Sequence, residues 1–235
     1  MSAGRGKRRA LLALCLLLFP LFTGLGVWQV ERRAWKLDLI ARVDARVAAR
    51  PVPVPPASAW PTIDPRAEEY RRVSATGTFL HDSETLVDAL TERGAGAWVV
   101  TPLRTDRGTI LVNRGFVPPE RKDPATRAAG QRPGTVTVTG LLRAPEPGGR
   151  VLRPNRPDEN RWFSRDVAGI ATARGLGPVA PFFIDADAAP NPGGYPVGGL
   201  TVVRFRNTHL IYALTWFGLA GLSLFGVFLL TRCPR

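Results

Sequence analysis

Two stretches of this chain carry no charged side chain for 21 residues each, Ala10–Val30 and Leu210–Leu230. At a helical rise of ~1.5 Å per residue, each covers the ~30 Å hydrocarbon core of a bilayer. A backbone in lipid must satisfy its own hydrogen bonds, so each stretch is predicted to be a spanning helix. Arg5, Lys7, Arg8 and Arg9 precede the first, and Arg232 and Arg235 follow the second. The positive-inside rule then places residues 1–9 and 231–235 in the cytoplasm and residues 31–209 outside it. The run Gly26-Val27-Trp28-Gln29-Val30-Glu31-Arg32 offers no small-x-small cleavage site, so the first helix is expected to stay as an anchor. Pro20 is a candidate kink, and Gly24, Gly26, Gly218, Gly221 and Gly226 are candidate points of close helix approach.

Everything else must fold between these anchors. The helix is expected to continue to about Arg50, with Trp35, Leu39, Val43 and Val47 at i+4 spacing and Asp38–Arg42 as an ion pair. Residues 51–65 hold six prolines and read as an extended, semi-rigid linker. Strand-like alternation follows at Tyr70–Leu80, Ala97–Arg104, Thr109–Phe116, Thr135–Arg143, Phe182–Asp185 and Leu200–Phe205. Thr105-Asp106-Arg107-Gly108 reads as a four-residue hairpin loop. Arg165–Arg174 predicts one short helix with Val167, Ile170 and Ala171 inward. The expected fold is therefore a membrane protein with two transmembrane α-helices flanking an α+β, mainly antiparallel-β extracytoplasmic domain.

Composition excludes more than it proposes. The net charge is +13, but nearly all of it is arginine, with lysine only at Lys7, Lys36 and Lys122. The basic residues are scattered, without the clustered stripe or aromatic-studded sheet of a nucleic-acid binder, and no nucleic-acid partner is expected. Two cysteines, Cys15 and Cys233, support neither a disulfide framework nor a zinc cluster. No nucleophile elbow, phosphate loop or dinucleotide fingerprint is present, so no enzymatic activity is expected. Glu68 and Glu69 read as solvated surface, His81 as a loop histidine, and Arg114 of Asn113-Arg114-Gly115 as a turn arginine satisfying carbonyls.

One helix face carries candidate chemistry. His209, Tyr212, Ala213 and Trp216 fall at i, i+3, i+4 and i+7, at the depth where the second span meets water. Aromatic residues at this depth are ordinary interfacial anchors. The alternative is a binding face, on which a flat apolar molecule lies over the gap at Ala213 while His209 reaches its metal.

Five blocks resemble a known family. They are Leu25-Gly26-Val27-Trp28-Gln29-Val30-Glu31-Arg32 with Trp35-Lys36 and Leu39-Ile40; Thr101-Pro102-Leu103; Leu111-Val112-Asn113-Arg114-Gly115-Phe116-Val117-Pro118; Trp162-Phe163-Ser164-Arg165-Asp166; and Asn207-x-His209-Leu210-x-Tyr212-Ala213-x-Thr215-Trp216. In this order, from about residue 25 to residue 220, they resemble the Surfeit locus family of cytochrome c oxidase assembly factors. The resemblance implies a bacterial inner-membrane protein with its main domain in the periplasm. It implies binding of haem a and help with its insertion into oxidase subunit I, with that subunit and the haem a synthesis machinery as partners. His209 matches the proposed iron ligand, Tyr212 and Trp216 share its face, and the Trp28 region is the implied facing wall. Arg32, Arg204 and Arg206 are candidates for pairing with the haem propionates. The alternative is a structural scaffold that stabilises an oxidase assembly intermediate and holds no haem.

Overall fold

The computed structural model describes residues 2–203 and 205–232, with side chains from residue 6 onward. Arg204, Cys233 and Arg235, and the side chain of Arg5, lie outside the described residues. The chain divides into two compact units, one of Met1–Val43 with Val203–Arg235 and one of Asp44–Val202.

The first unit is built on two helices, α1 (Ser2–Ala48) and α3 (His209–Arg232). Both are long and apolar enough to cross a membrane, and α1 continues through Pro20. Their apolar surfaces are mostly uncovered, with Leu17, Leu214 and Leu222 each about 65% exposed, as lipid-facing residues would be. The helices meet along a narrow seam. Phe22 stacks on Trp216 at 5.7 Å between centroids, and Ala213, Ala220 and Ser223 are buried. Only some of the glycines serve this approach. A methyl group on Gly26 would meet the Phe217 ring at 2.6 Å, and one on Gly226 would meet Cys15 Sγ at 3.0 Å. At Gly24, Gly218 and Gly221 it would meet nothing within 4 Å. Arg8 Nε donates to the Leu230 carbonyl at 2.8 Å, placing a cation at the negative end of α3.

The second unit is a β-barrel with additions. Its strands are β1 (Val52–Pro53), β2 (Arg72–Phe79), β3 (Thr85–Thr91), β4 (Gly94–Thr105), β5 (Gly108–Val117), β6 (Thr135–Arg143), the small pair β7 (Gly149–Arg150) and β8 (Arg153–Pro154), and β9 (Val179–Ala186). The pairings β2–β4, β4–β5, β5–β9, β9–β6 and β6–β2 close a ring of five strands. Only β5–β9 is parallel within it. This is the strand connectivity of an OB-type barrel, an architecture that does not itself specify a function. Val73, Leu103, Ile110, Val112, Leu142 and Phe182 belong to its filled core. A second cluster joins Leu111 and Phe183 to Trp162, Val167 and Ile170, the last two from helix α2 (Val167–Ala173). Asp166 caps α2 by accepting from Gly169 N–H at 3.0 Å.

Several sequence expectations need correction. The proline-rich segment 51–65 is not a spacer, because Val52–Pro53 pairs with β2 and Val54 is 2% exposed in the barrel core. Proline suits this position at a strand edge, where its missing N–H costs no ladder bond. The β4–β5 turn is tighter than expected, with Thr105 paired to Gly108 around Asp106-Arg107. Strand β3 was not anticipated, since its inward residues are the small Thr85, Val87 and Ala89 while Leu90 is 78% exposed. The described residues of 200–205 form no strand; Thr201 instead donates its hydroxyl to Asp185 at 3.0 Å.

Candidate functional site

The helix seam places His209 at the first residue of α3. Its Nδ1 lies 2.7 Å from Gln29 Oε1, and Gln29 is only 8% exposed. With the amide oxygen as acceptor, the imidazole proton sits on Nδ1 and the Nε2 lone pair remains available. This resembles the outer hydrogen bond that orients a metal-binding histidine. Nothing local in the sequence singles out Gln29 beside the larger Trp28.

The other expected residues are arranged differently from the sequence reading. Ala213 is 2% exposed, so no open gap lies over it for a flat molecule. Trp216 is engaged by Phe22. Trp28 and Tyr212 are each 53% exposed, so Trp28 is not a closed wall opposite His209. Arg32 lies over the Trp35 ring at 4.0 Å and Lys36 over Phe205 at 4.9 Å.

The barrel unit contains a second set of motif residues, held in a buried polar network. At β5 the register slips: Val99 faces Gly115 and Val100 faces Asn113, leaving Arg114 as the extra residue of a bulge. Asn113 Oδ1 accepts from Gly115 N–H at 3.2 Å, while its Nδ2 donates to Asp185 at 2.7 Å. Gly115 has φ +132°, and a Cβ there would stand 2.2 Å from the Val197 carbonyl oxygen. The triplet is therefore a constructed bulge inside a strand.

Asp185, from β9, is the hub. Its side chain is 1% exposed and also accepts from Arg143 at 2.8 Å and Arg165 at 3.0 Å. Arg143 reaches on to Glu69 at 3.0 Å, so Glu69 belongs to this network and not to a solvated pair with Glu68. Glu68 pairs separately with Arg71 at 2.7 Å. Arg165 also pairs with Glu146. Burial alone would raise the Glu146 pKa, but Arg165's hydrogen bonds and charge hold it below the ordinary value. Burial would likewise lower that of Arg165, yet Asp185 and Glu146 raise it.

Arg114 belongs to a neighbouring cluster. Its Nη2 donates to the Gly130 carbonyl, so the expected carbonyl partner is present, but the residue sits on a strand bulge and not in a turn. Glu84, 5% exposed, is gripped by both Nη atoms of the equally buried Arg127. His81 is less open than a loop histidine: Nε2 lies 3.1 Å from the Arg132 carbonyl oxygen, and Nδ1 is buried without a hydrogen-bond partner.

Comparison with known proteins agrees with the motif blocks. The family model described as the SURF1 family matches residues 16–221. Surfeit locus protein 1 of Homo sapiens is 41% identical over 93% of this chain and 77% of its own length. The SURF1-like protein of Monosiga brevicollis is 40% identical over 94% of the chain and 88% of its length. That of Drosophila melanogaster is 36% identical over 89% and 74%. On the family match and this extent of identity, the chain belongs to the SURF1 family, the Surfeit locus family of cytochrome c oxidase assembly factors.

Proposed function

We propose that this protein assists cytochrome c oxidase assembly by holding haem a through His209 and presenting it to oxidase subunit I. The observation that carries this reading is the 2.7 Å contact between His209 Nδ1 and Gln29 Oε1. It orients the ring and leaves Nε2 as the coordinating atom. The donor set fits haem, which needs one imidazole from the protein and an apolar flank. Half-exposed Trp28 and Tyr212 supply apolar surface near that end of the helix pair. The filled seam at Ala213 directs a ligand to the outer flank of the helices and not between them. Haem a, when bound, would supply the iron that His209 Nε2 would hold; the chain's part is to fix the ring and keep its Nδ1 proton in place.

We place the protein in a bacterial inner membrane, with both termini in the cytoplasm and the barrel in the periplasm. Haem a would arrive from the haem a synthesis machinery. Reporter fusions at Pro56 and Arg235 should report outside and inside, and the same side for both would defeat the two-span topology.

The packed seam also favours a second reading, a scaffold that steadies an assembly intermediate without haem. A visible spectrum of the protein purified from cells that make haem a separates the two. Under the haem reading, wild type carries a haem a spectrum, and His209→Ala loses most of it while remaining inserted. Full haem with an unchanged spectrum in His209→Ala would remove the iron from this residue.

A further inference from the structure

A cleft of about 70 Å³ opens in the barrel unit beside the Arg114 cluster. Phe79, Val136 and Val138 line it with apolar surface over the buried Val112, and Arg114 and Arg132 add positive charge. The charges behind it do not balance. Among the described residues Glu84 is shared by two buried cations: Arg127 holds it at two points and Arg114 stands beside it. Arg114, with its side chain 3% exposed, stands 3.9 Å from Glu84 Oε2, and its Nη1 makes no hydrogen bond. Asp187 also lines the cleft, but it pairs with Arg72 at 3.5 Å. A buried cation in excess of its partners is costly, and a bound anion would offset that cost. Burial lowers the Arg114 pKa to about 10; attraction to Glu84 opposes it, and repulsion from Arg127 and Arg132 adds to it.

We infer that this cleft is a binding site for a small organic carboxylate. The cations suit any anion, but the apolar side chains of Phe79, Val136 and Val138 would be wasted on phosphate and match a short carbon chain. The space suits a ligand of a few non-hydrogen atoms, such as propionate. The carboxylate end pairs with the exposed Arg132 guanidinium, over the buried charge of Arg114, and the carbon end lies on Phe79, Val136 and Val138. The site lies within the barrel unit and does not depend on haem binding at the helices.

The test uses the full-length protein in detergent, with sodium propionate and inorganic phosphate as probes against sodium chloride at equal ionic strength. Saturation-transfer NMR on the propionate protons reads contact, and the thermal midpoint reads linkage. Propionate should bind saturably, raise the midpoint more than chloride, and not be matched by phosphate. Arg132→Gln, at an exposed side chain, should fold and weaken propionate about tenfold or more. Arg150→Gln, at an exposed arginine that does not line this cleft, should change nothing. No saturable propionate signal, phosphate binding in its place, or wild-type affinity in Arg132→Gln would each overturn the assignment.

Discussion

Asp185→Asn isolates the contribution of the buried network to the barrel. The substitution keeps the side chain's shape and removes its charge. In the wild type that carboxylate is 1% exposed and receives Asn113, Arg143, Arg165 and Thr201. Arg143 and Arg165 would keep Glu69 and Glu146, but each would lose its most buried partner. The new amide would also turn an N–H toward a donor. Removing one member of a buried ion pair typically costs about 3–5 kcal/mol. A domain of this size loses about 2–4 °C in Tm per kcal/mol, so the expected drop is about 6–20 °C. Thermal and urea unfolding of the full chain in detergent, followed by tryptophan fluorescence, reads it. Adding Arg143→Gln should return part of the loss, because it removes a cation the first change left uncompensated. A loss below about 1 kcal/mol for Asp185→Asn would refute the network as a stabilising hub.

Other perturbations follow from the same geometry. Gly115→Ala should destabilise the barrel by about 1–3 kcal/mol from its positive φ alone. The contact with the Val197 carbonyl adds to this, and a urea midpoint within error of wild type would contradict the bulge. Gln29→Leu should keep His209 in place but free its Nδ1, lowering co-purified haem a by about 10–100-fold without loss of expression; wild-type haem content and spectrum would exclude a positioning role for Gln29. Glu146 has a lowered folded-state pKa, so its contribution is complete above the ordinary value of 4.5 and is lost as pH falls through the lowered one. Glu146→Gln should therefore flatten the acid limb of the stability–pH curve below about pH 4.5, and an unchanged limb would count against the pairing with Arg165.

The sequence made legible what depends on near neighbours. The two uncharged runs marked α1 and α3, and alternation at Thr135–Arg143 coincides with β6. Asp166 and the inward Val167, Ile170 and Ala171 marked α2. Strand β3 was hidden because hydrophobic size and burial run opposite there. Val52–Pro53 was hidden because proline density argues against a ladder, yet an edge pairing tolerates it. On α3, helical spacing brought His209, Ala213 and Trp216 to one face, but spacing alone does not tell a ligand's face from a partner helix's. Trp216 stacks on Phe22 of α1, and Ala213 is buried.

Asn113-Arg114-Gly115 shows why the rest was not legible. Each residue has a task set by something distant in the chain. Asn113 reaches Asp185, 72 positions away, while its other amide atom pins Gly115 N–H. Gly115 is required by the carbonyl of Val197, which no local pattern announces. Arg114 turns inward because the bulge rotates one residue out of the ladder, toward Glu84 and Gly130. A turn arginine and a bulged arginine look alike in sequence. They differ in that the bulge places a guanidinium where water does not reach, and a cation so placed must be matched. Glu84 is shared by Arg127 and Arg114, so charge counting among the described residues leaves this cluster with one more buried cation than carboxylates.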